Sequence, residues 1–260
     1  MQASRQGKVR DVYEINDKQI VLVASDRISA FDVILPKTIK NKGKILTQMS
    51  LFWFDFTKNI CKNHIISSNT KDIPEFFQSE VFDGRTLLVK KLKIVPFECI
   101  VRGYAFGSYQ DERYQLAEKL PAPIFTPSTK AEHDENVSKE FMANQIGTEL
   151  TNQIERISLD LYKTCYAHAL SKGLIIADAK FEFGLDENNE LYLADEIFTP
   201  DSSRYWCVGD YKIGTSPKSY DKQLLRDWLL NNNMNFDEVP DEILDRTYEI
   251  YQKCLNKITV

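Results

Sequence analysis

The chain is poor in several residue types on which familiar chemistries depend. It has three histidines, His64, His133 and His168, and none stands at zinc-ligand spacing from another. Its five cysteines, Cys61, Cys99, Cys165, Cys207 and Cys254, form no CxxC pair, and an odd number excludes a complete disulfide framework. Reduced thiols in a cytoplasmic protein are therefore expected. The glycines make neither a P-loop nor a Rossmann turn, and there is no Gly-x-Ser-x-Gly elbow. The first residues, MQASRQGKVRD, have no apolar stretch, so no signal peptide is expected. The longest aliphatic run, Ile20 to Ala24, is far too short to span a bilayer. A net charge of -5 and a pI near 5.4 argue against a nucleic-acid footprint while leaving room for a local pocket for a small anion.

What is present is ordinary globular material. Apolar residues make up 43% and charged residues 27% of 260 positions, enough for a sizeable core and two subdomains. The first ninety residues read mainly as strands, with a hairpin of Val12 to Ile15 and Gln19 to Ala24 turning at Asn16-Asp17-Lys18. A helix is expected over Thr47 to Asn59, then strands over Thr86 to Lys91 and Phe97 to Arg102, with Lys93 to Pro96 irregular. Helices follow over Ser138 to Ile146 and Asn152 to Ser171, with Gly173 just past the end of the second. A hairpin pairs Leu174 to Leu185 with Glu190 to Phe198, and helices over Asp221 to Asn231 and Asp241 to Ile258 close the chain. This order predicts an α+β fold with a β-rich N-terminal lobe (residues 1–95), a mixed C-terminal lobe (96–260) and a nucleotide cleft between them.

The most informative stretch is Ile175 to Phe183. Strict alternation sends Asp178, Lys180 and Glu182 to one face and Ala179, Phe181 and Phe183 to the other. If the hairpin loop has two residues, Glu182 lies opposite Asp195; if it has four, Lys180 does. An odd loop breaks the pattern. On the even registers opposed carboxylates would repel unless a cation bridged them, and two carboxylates suit Mg²⁺ that carries phosphates and waters. The competing reading is a solvated charged face.

Other polar clusters could take anions. Gly7-Lys8-Val9-Arg10 sets a glycine and two cations before the first strand, where backbone N–H groups and Lys8 or Arg10 could cover phosphates. Ser25-Asp26-Arg27-Ile28-Ser29-Ala30-Phe31-Asp32 follows a strand, and Arg102 to Ser108 combines arginine, glycine and serine. Ser202-Ser203-Arg204 could receive a phosphate or a carboxylate. Each is also compatible with ordinary turns and caps.

Taken together, the stretches GKVRDVYE, SDRISAFD, ECIVRGYAFGS, ADAKFEFG and DEIFTPDSSRYW resemble the phosphoribosylaminoimidazole-succinocarboxamide synthase (SAICAR synthetase) family and span residues 7 to 206. The resemblance implies a two-lobed α+β enzyme that joins L-aspartate to carboxyaminoimidazole ribonucleotide (CAIR), using ATP and Mg²⁺. It implies that Glu182 and Asp195 hold the metal and that Arg102, Ser108 and Arg204, with Gly107 and Ser203, receive the ribonucleotide phosphate. By the same resemblance Gly7, Lys8 and Arg10 lie by the ATP phosphates, with Lys91, Ile94 and Glu98 toward adenine. Asp178 and Lys180, on the active-site strand, are the implied catalytic residues. Asp134 sits in an acidic substrate loop, and Ser25, Asp26, Arg27, Ser29 and Asp32 line the aspartate pocket. The implied partners are these small molecules rather than nucleic acid or membrane, and oligomeric state, a homodimer included, is left open.

Overall fold

The computed structural model describes residues 1–109, 111–130 and 135–260. In chain order the strands and helices are β1 (Arg5–Gln6), β2 (Arg10–Asn16), β3 (Gln19–Ala24), β4 (Arg27–Ala30), β5 (Val33–Thr38), α1 (Lys42–Phe56), β6 (Ile65–Ser67) and β7 (Thr86–Lys90). They continue as β8 (Lys93–Ile94), β9 (Phe97–Tyr104), β10 (Lys119–Thr129), α2 (Lys139–Ile146), α3 (Thr148–Ser171), β11 (Leu174–Leu185), β12 (Leu191–Ala194), β13 (Ser203–Cys207), α4 (Gln223–Asn231) and α5 (Asp241–Thr259). Segregated sheets and helices make this an α+β fold. No helix among the described residues is long and apolar enough to cross a membrane, and all five cysteines are free thiols.

Two compact units can be described. The first comprises Met1–Phe52, His64–Leu92 and Tyr220–Val260. Its sheet runs β1-β2-β3-β7-β6, antiparallel throughout. β3 lies between β2 and β7, so Val21 to Ala24 are buried on both faces, as a central strand requires. The Asn16 side chain accepts from the Lys18 N–H at 2.9 Å, closing the expected β2–β3 turn. The β4–β5 hairpin is a separate two-stranded sheet, and its residues Ile28, Ala30 and Leu35 pack with Leu225, Leu229, Val239 and Leu244 of the C-terminal helical segment. α1 begins at Lys42, five residues before the expected Thr47. The Asp26 carboxylate explains this, because it accepts from the Asn41 and Gly43 N–H groups at 3.1 and 3.0 Å and so caps the helix from outside it.

The second unit comprises Trp53–Asn63 and Lys93–Ser219. β11 is its axis. One edge pairs with β9 and then β8, the other with β13 and then β12, while β10 lies beyond β9. The stripe Ile154, Ile157, Leu161 and Cys165 of α3 is buried, as its spacing predicts, and α3 packs on β11, β9 and β10. Gly173 ends α3 with φ of +76°, the left-handed value that favours glycine at that position. Lys93–Ile94, expected to be irregular, adds a two-residue strand to Leu185 and Gly184 instead.

Candidate active site

The face of the second unit's sheet that α3 does not cover carries most of the charged candidates. Opposed pairs put Asp178 beside Arg102 of β9 and beside Arg204 of β13. In the same two-residue rhythm, Lys180 and Glu182 follow along β11, and Glu98 shares the face from β9. Arg204 forms an ion pair with Asp178, and the Arg102 guanidinium stands 3.8 Å from the same carboxylate oxygen. Arg102, only 2% exposed, also donates to the Thr126 hydroxyl at 2.9 Å and to the Ser108 hydroxyl at 3.0 Å. Burial, and then the neighbouring Arg204 charge, pull the Arg102 pKa below its usual value against the opposing pull of Asp178.

Gly107 completes this group. Its φ is +69°, and a Cβ there would stand 2.8 Å from both terminal nitrogens of Arg204. The absence of a side chain therefore lets the guanidinium lie against bare backbone. The Arg204 guanidinium carbon also sits 5.6 Å from the Phe106 ring centroid, within cation–π range. Two guanidiniums against one carboxylate leave a net positive pole, shaped by serine, threonine and glycine. Such a group can accept a phosphate by paired N–H donors.

The other end of the strand is negative. Lys180 pairs with Glu98, and Lys130, just past β10, pairs with Glu182. Burial lowers the Lys180 pKa, yet the carboxylates of Glu98, Glu182 and Asp195 outweigh it and hold the ammonium charged. The Glu182 pKa is raised, first by burial and then by Asp195, with Lys130 and Lys180 opposing. Glu182 therefore feels the charge of Asp195, although neither expected register is realised. β11 and β12 pair as Glu182↔Ala194 and Leu185↔Leu191, which leaves a five-residue loop, 186–190. That odd loop would send Asp195 to the apolar face. Instead β12 ends at Ala194, and Asp195 takes a left-handed φ of +59°, which breaks the alternation and redirects the carboxylate.

A divalent ion fits this donor set. Two hard oxygen ligands repel each other in a partly desolvated place, and a cation relieves that repulsion. Among the described residues no group of three or more His, Cys, Asp or Glu could cage a metal without help. That suits an ion which keeps phosphate and water ligands.

Several other candidates have partners that build the fold. Gly7 and Arg10 close a tight turn through an N–H···O bond of 2.7 Å, and the Val9 carbonyl accepts from the Ser25 N–H and hydroxyl, both at 2.9 Å. Arg27 donates to the Gly7 carbonyl at 3.0 Å and pairs with Asp11 at 2.6 Å. Ser25 and Arg27 thus pin the loop that carries Lys8 and Arg10. Asp26 caps α1 and pairs with Arg85 at 3.0 Å. Ser29 lies opposite Ile34 in the β4–β5 hairpin, and Asp32, at its turn with φ of +63°, pairs with Lys8. Lys91 pairs with Glu14 at 3.1 Å, and Ile94 is exposed on β8.

Ser203 lies opposite Ala179, on the face away from Arg204, and the Ser202 hydroxyl accepts from the Thr199 N–H at 3.2 Å within its own turn. Only Arg204 of that trio joins the cationic cluster. Asp134 falls outside the described residues. Sequence reasoning missed Thr126 and Lys130. Both belong to or adjoin β10, a strand whose Pro121, Pro123 and Pro127 hide its alternation and are tolerated because it pairs only with β9 among the named strands.

Comparison with known proteins places the chain in a family. The family model described as SAICAR synthetase matches residues 3–243. Phosphoribosylaminoimidazole-succinocarboxamide synthases from Lachnospira eligens and Methylobacillus flagellatus are 48% and 50% identical, each over 98% of this chain and 94% and 93% of their own. The Saccharomyces cerevisiae SAICAR synthase solved with SAICAR superposes with a TM-score of 0.90 at 40% identity, covering 99% of this chain and 94% of its own. A SAICAR synthetase solved with ADP gives 0.77 at 26% identity, covering 98% and 97%. The chain belongs to the SAICAR synthetase family, the ATP-dependent ligases that join L-aspartate to carboxyaminoimidazole ribonucleotide in purine biosynthesis.

Proposed function

We propose that β11 arranges this ligation by charge, with the ribonucleotide phosphate at its cationic end and the reacting carboxylate at its metal end. The observation that carries the reading is that one strand face holds both poles. Arg102 and Arg204 flank Asp178, and Glu182 meets Asp195 four residues on, roughly 13 Å away at strand rise. CAIR has the same polarity, a phosphate at one end and a carboxylate on the imidazole at the other.

A carboxylate is a poor acyl donor because its leaving group would be oxide. In the proposed route a CAIR carboxylate oxygen attacks the γ-phosphorus, the bond to ADP breaks, and an acyl phosphate forms. The aspartate nitrogen, as the neutral amine, then adds to the acyl carbon, the carbon–oxygen bond breaks, and inorganic phosphate leaves with that oxygen. The nitrogen releases one proton to the departing phosphate or water and keeps the other as the amide N–H. Glu182 and Asp195 would hold Mg²⁺, which when bound neutralises nucleotide phosphates and draws charge from the γ-phosphorus. Lys180 stays an ammonium, so its part is to hold anionic oxygen in place rather than to take the amine proton. The Gly7–Arg10 turn, pinned by Ser25 and Arg27, offers Lys8 and backbone N–H groups to phosphates of the nucleotide. Asp32, already paired with Lys8, is proposed to accept the substrate ammonium. One relative was solved with ADP and another with SAICAR, which supports binding of a nucleotide and of the ligated product by this chain. A cytoplasmic setting accords with five free thiols.

The test uses CAIR labelled with ¹⁸O in its carboxylate, together with ATP, Mg²⁺ and aspartate. One labelled oxygen should appear in the released phosphate, and phosphate should appear only when aspartate is supplied. Unlabelled phosphate would overturn the acyl phosphate. A phosphorylated ribonucleotide accumulating as the final product would overturn the ligase.

A further inference from the structure

We infer that Tyr162 is a positioning residue for the ribonucleotide-phosphate receptor, acting by holding the β-bulge that turns Arg204 onto the face of Asp178. This rests on the reading of Arg102 and Arg204 as that receptor.

The bulge is visible in the register. From Leu174 to Ile176, β11 pairs with β13 as Leu174↔Cys207, Ile175↔Trp206 and Ile176↔Tyr205; beyond it the pairs are Asp178↔Arg204 and Ala179↔Ser203. Ala177 is the extra residue. Had the first register continued, Arg204 would face Ala177 and its side chain would emerge on the apolar side with Ala177 and Ala179. The single inserted residue therefore decides whether the two guanidiniums meet.

Tyr162 grips that residue from the far side of the sheet. It belongs to α3, is 2% exposed, and its hydroxyl donates to the Ile176 carbonyl at 2.6 Å, with the Ala177 carbonyl at 3.5 Å. The β9–β11 ladder stops at Asp178↔Arg102, so the next pair would have been Ala177 and Gly103. The hydroxyl stands where that pair would close, because a Cβ on Gly103 would lie 2.1 Å from it. Burial and the neighbouring Tyr104 and Asp178 hold the phenol protonated, so it remains a donor. Gly103 makes the room, Tyr162 fills it, and the bulge carbonyls accept.

The test is Tyr162→Phe, read as binding of CAIR and of its dephosphorylated ribonucleoside by calorimetry in phosphate-free buffer. Losing one buried hydrogen bond should weaken CAIR about tenfold, raise KM for CAIR with little change in kcat, and leave ribonucleoside binding, KM for ATP and KM for aspartate within twofold. Gly103→Ala presses on the same hydroxyl from the other side and should weaken CAIR in the same selective way, which keeps the idea testable should the first variant fold poorly. Equal losses for ribonucleotide and ribonucleoside, or unchanged CAIR binding in both variants, would overturn the positioning role. Arg204→Gln separates the two levels. If it weakens CAIR selectively while neither Tyr162→Phe nor Gly103→Ala does, the receptor stands and the positioning role fails; if Arg204→Gln also leaves CAIR binding intact, the receptor reading itself fails.

Discussion

Asp178→Asn is the most discriminating single change, because it removes one charge and keeps the shape. In the native cluster Asp178 is the carboxylate counter-charge to Arg102 and Arg204, and its side chain is 9% exposed against 3% and 24% for the two arginines. Without it two guanidiniums share a largely desolvated place. Breaking a buried pair by removing one partner costs about 3–5 kcal/mol, and the partial exposure of Arg204 argues for the lower end. For a chain of this size each kcal/mol moves the melting temperature by roughly 2–4 °C, so a fall of roughly 6–12 °C is expected.

The second half of the prediction carries the reasoning. A phosphate entering the cluster supplies the missing negative charge, and a ligand at a hundred times its Kd adds about 2.7 kcal/mol of stability by mass action. In the native protein part of that attraction is already satisfied by Asp178; in the variant it is not. Melting curves in phosphate-free buffer with increasing CAIR should therefore show a larger rise for Asp178→Asn than for the native chain, even though turnover drops. If the variant melts like the native protein without ligand, or if CAIR raises both equally, Asp178 is not the counter-charge of this pair.

Glu182→Gln should reduce kcat by more than a hundredfold, about 3 kcal/mol of barrier, and leave the melting temperature unchanged or higher, because burial and Asp195 already disfavour the charged form. Normal magnesium dependence in that variant would take Glu182 out of the metal site. Asp26→Ala removes the acceptor for two N–H groups at the start of α1 and the partner of Arg85. Unfolding free energy in urea should fall by about 3 kcal/mol with KM for aspartate within twofold; native stability with a raised KM would assign Asp26 to substrate instead. Burial raises the Cys61 thiol to about 11 from an ordinary 9.0. The folded state then keeps a proton that the unfolded state loses. Stability from this group is complete below pH 9 and declines as pH rises toward 11, by up to about 2 kcal/mol. Cys61→Ala should flatten that slope in urea titrations at pH 8.5 and 11, and an unchanged slope would refute the assignment.

Much of the frame was legible because it follows from local rules. The stripe of α3, the glycine after it, the β2–β3 turn and the charged alternation of β11 each depend on residues within a few positions of one another. What escaped depends on partners distant in the chain. β10 is a strand because β9 offers it an edge, and its three prolines mask the pattern that would announce it. α1 starts early because a carboxylate sixteen residues upstream caps it. Asp26 and Arg27 read equally well as binding residues and as ties, and their hydrogen bonds to the α1 terminus and to the Gly7 turn join partners too distant in the chain for the sequence to announce.

The same distinction applies to Glu182 and Asp195, which act on each other electrostatically although neither even-loop register is realised. Alternation transmits side-chain direction only while pairing is unbroken, and its parity depends on loop length. The loop is odd, so alternation alone would have separated the two carboxylates. A left-handed residue at the strand end reverses that outcome, and an aspartate tolerates this conformation better than most side chains because its short polar group bonds locally. At the opposite end of β11 the bulge at Ala177 does the equivalent for Arg204. Both poles of the sheet face thus depend on one local departure from regular β-structure each. Regular pairing supplies the rigid strand between them, and the two irregularities decide which charges it presents.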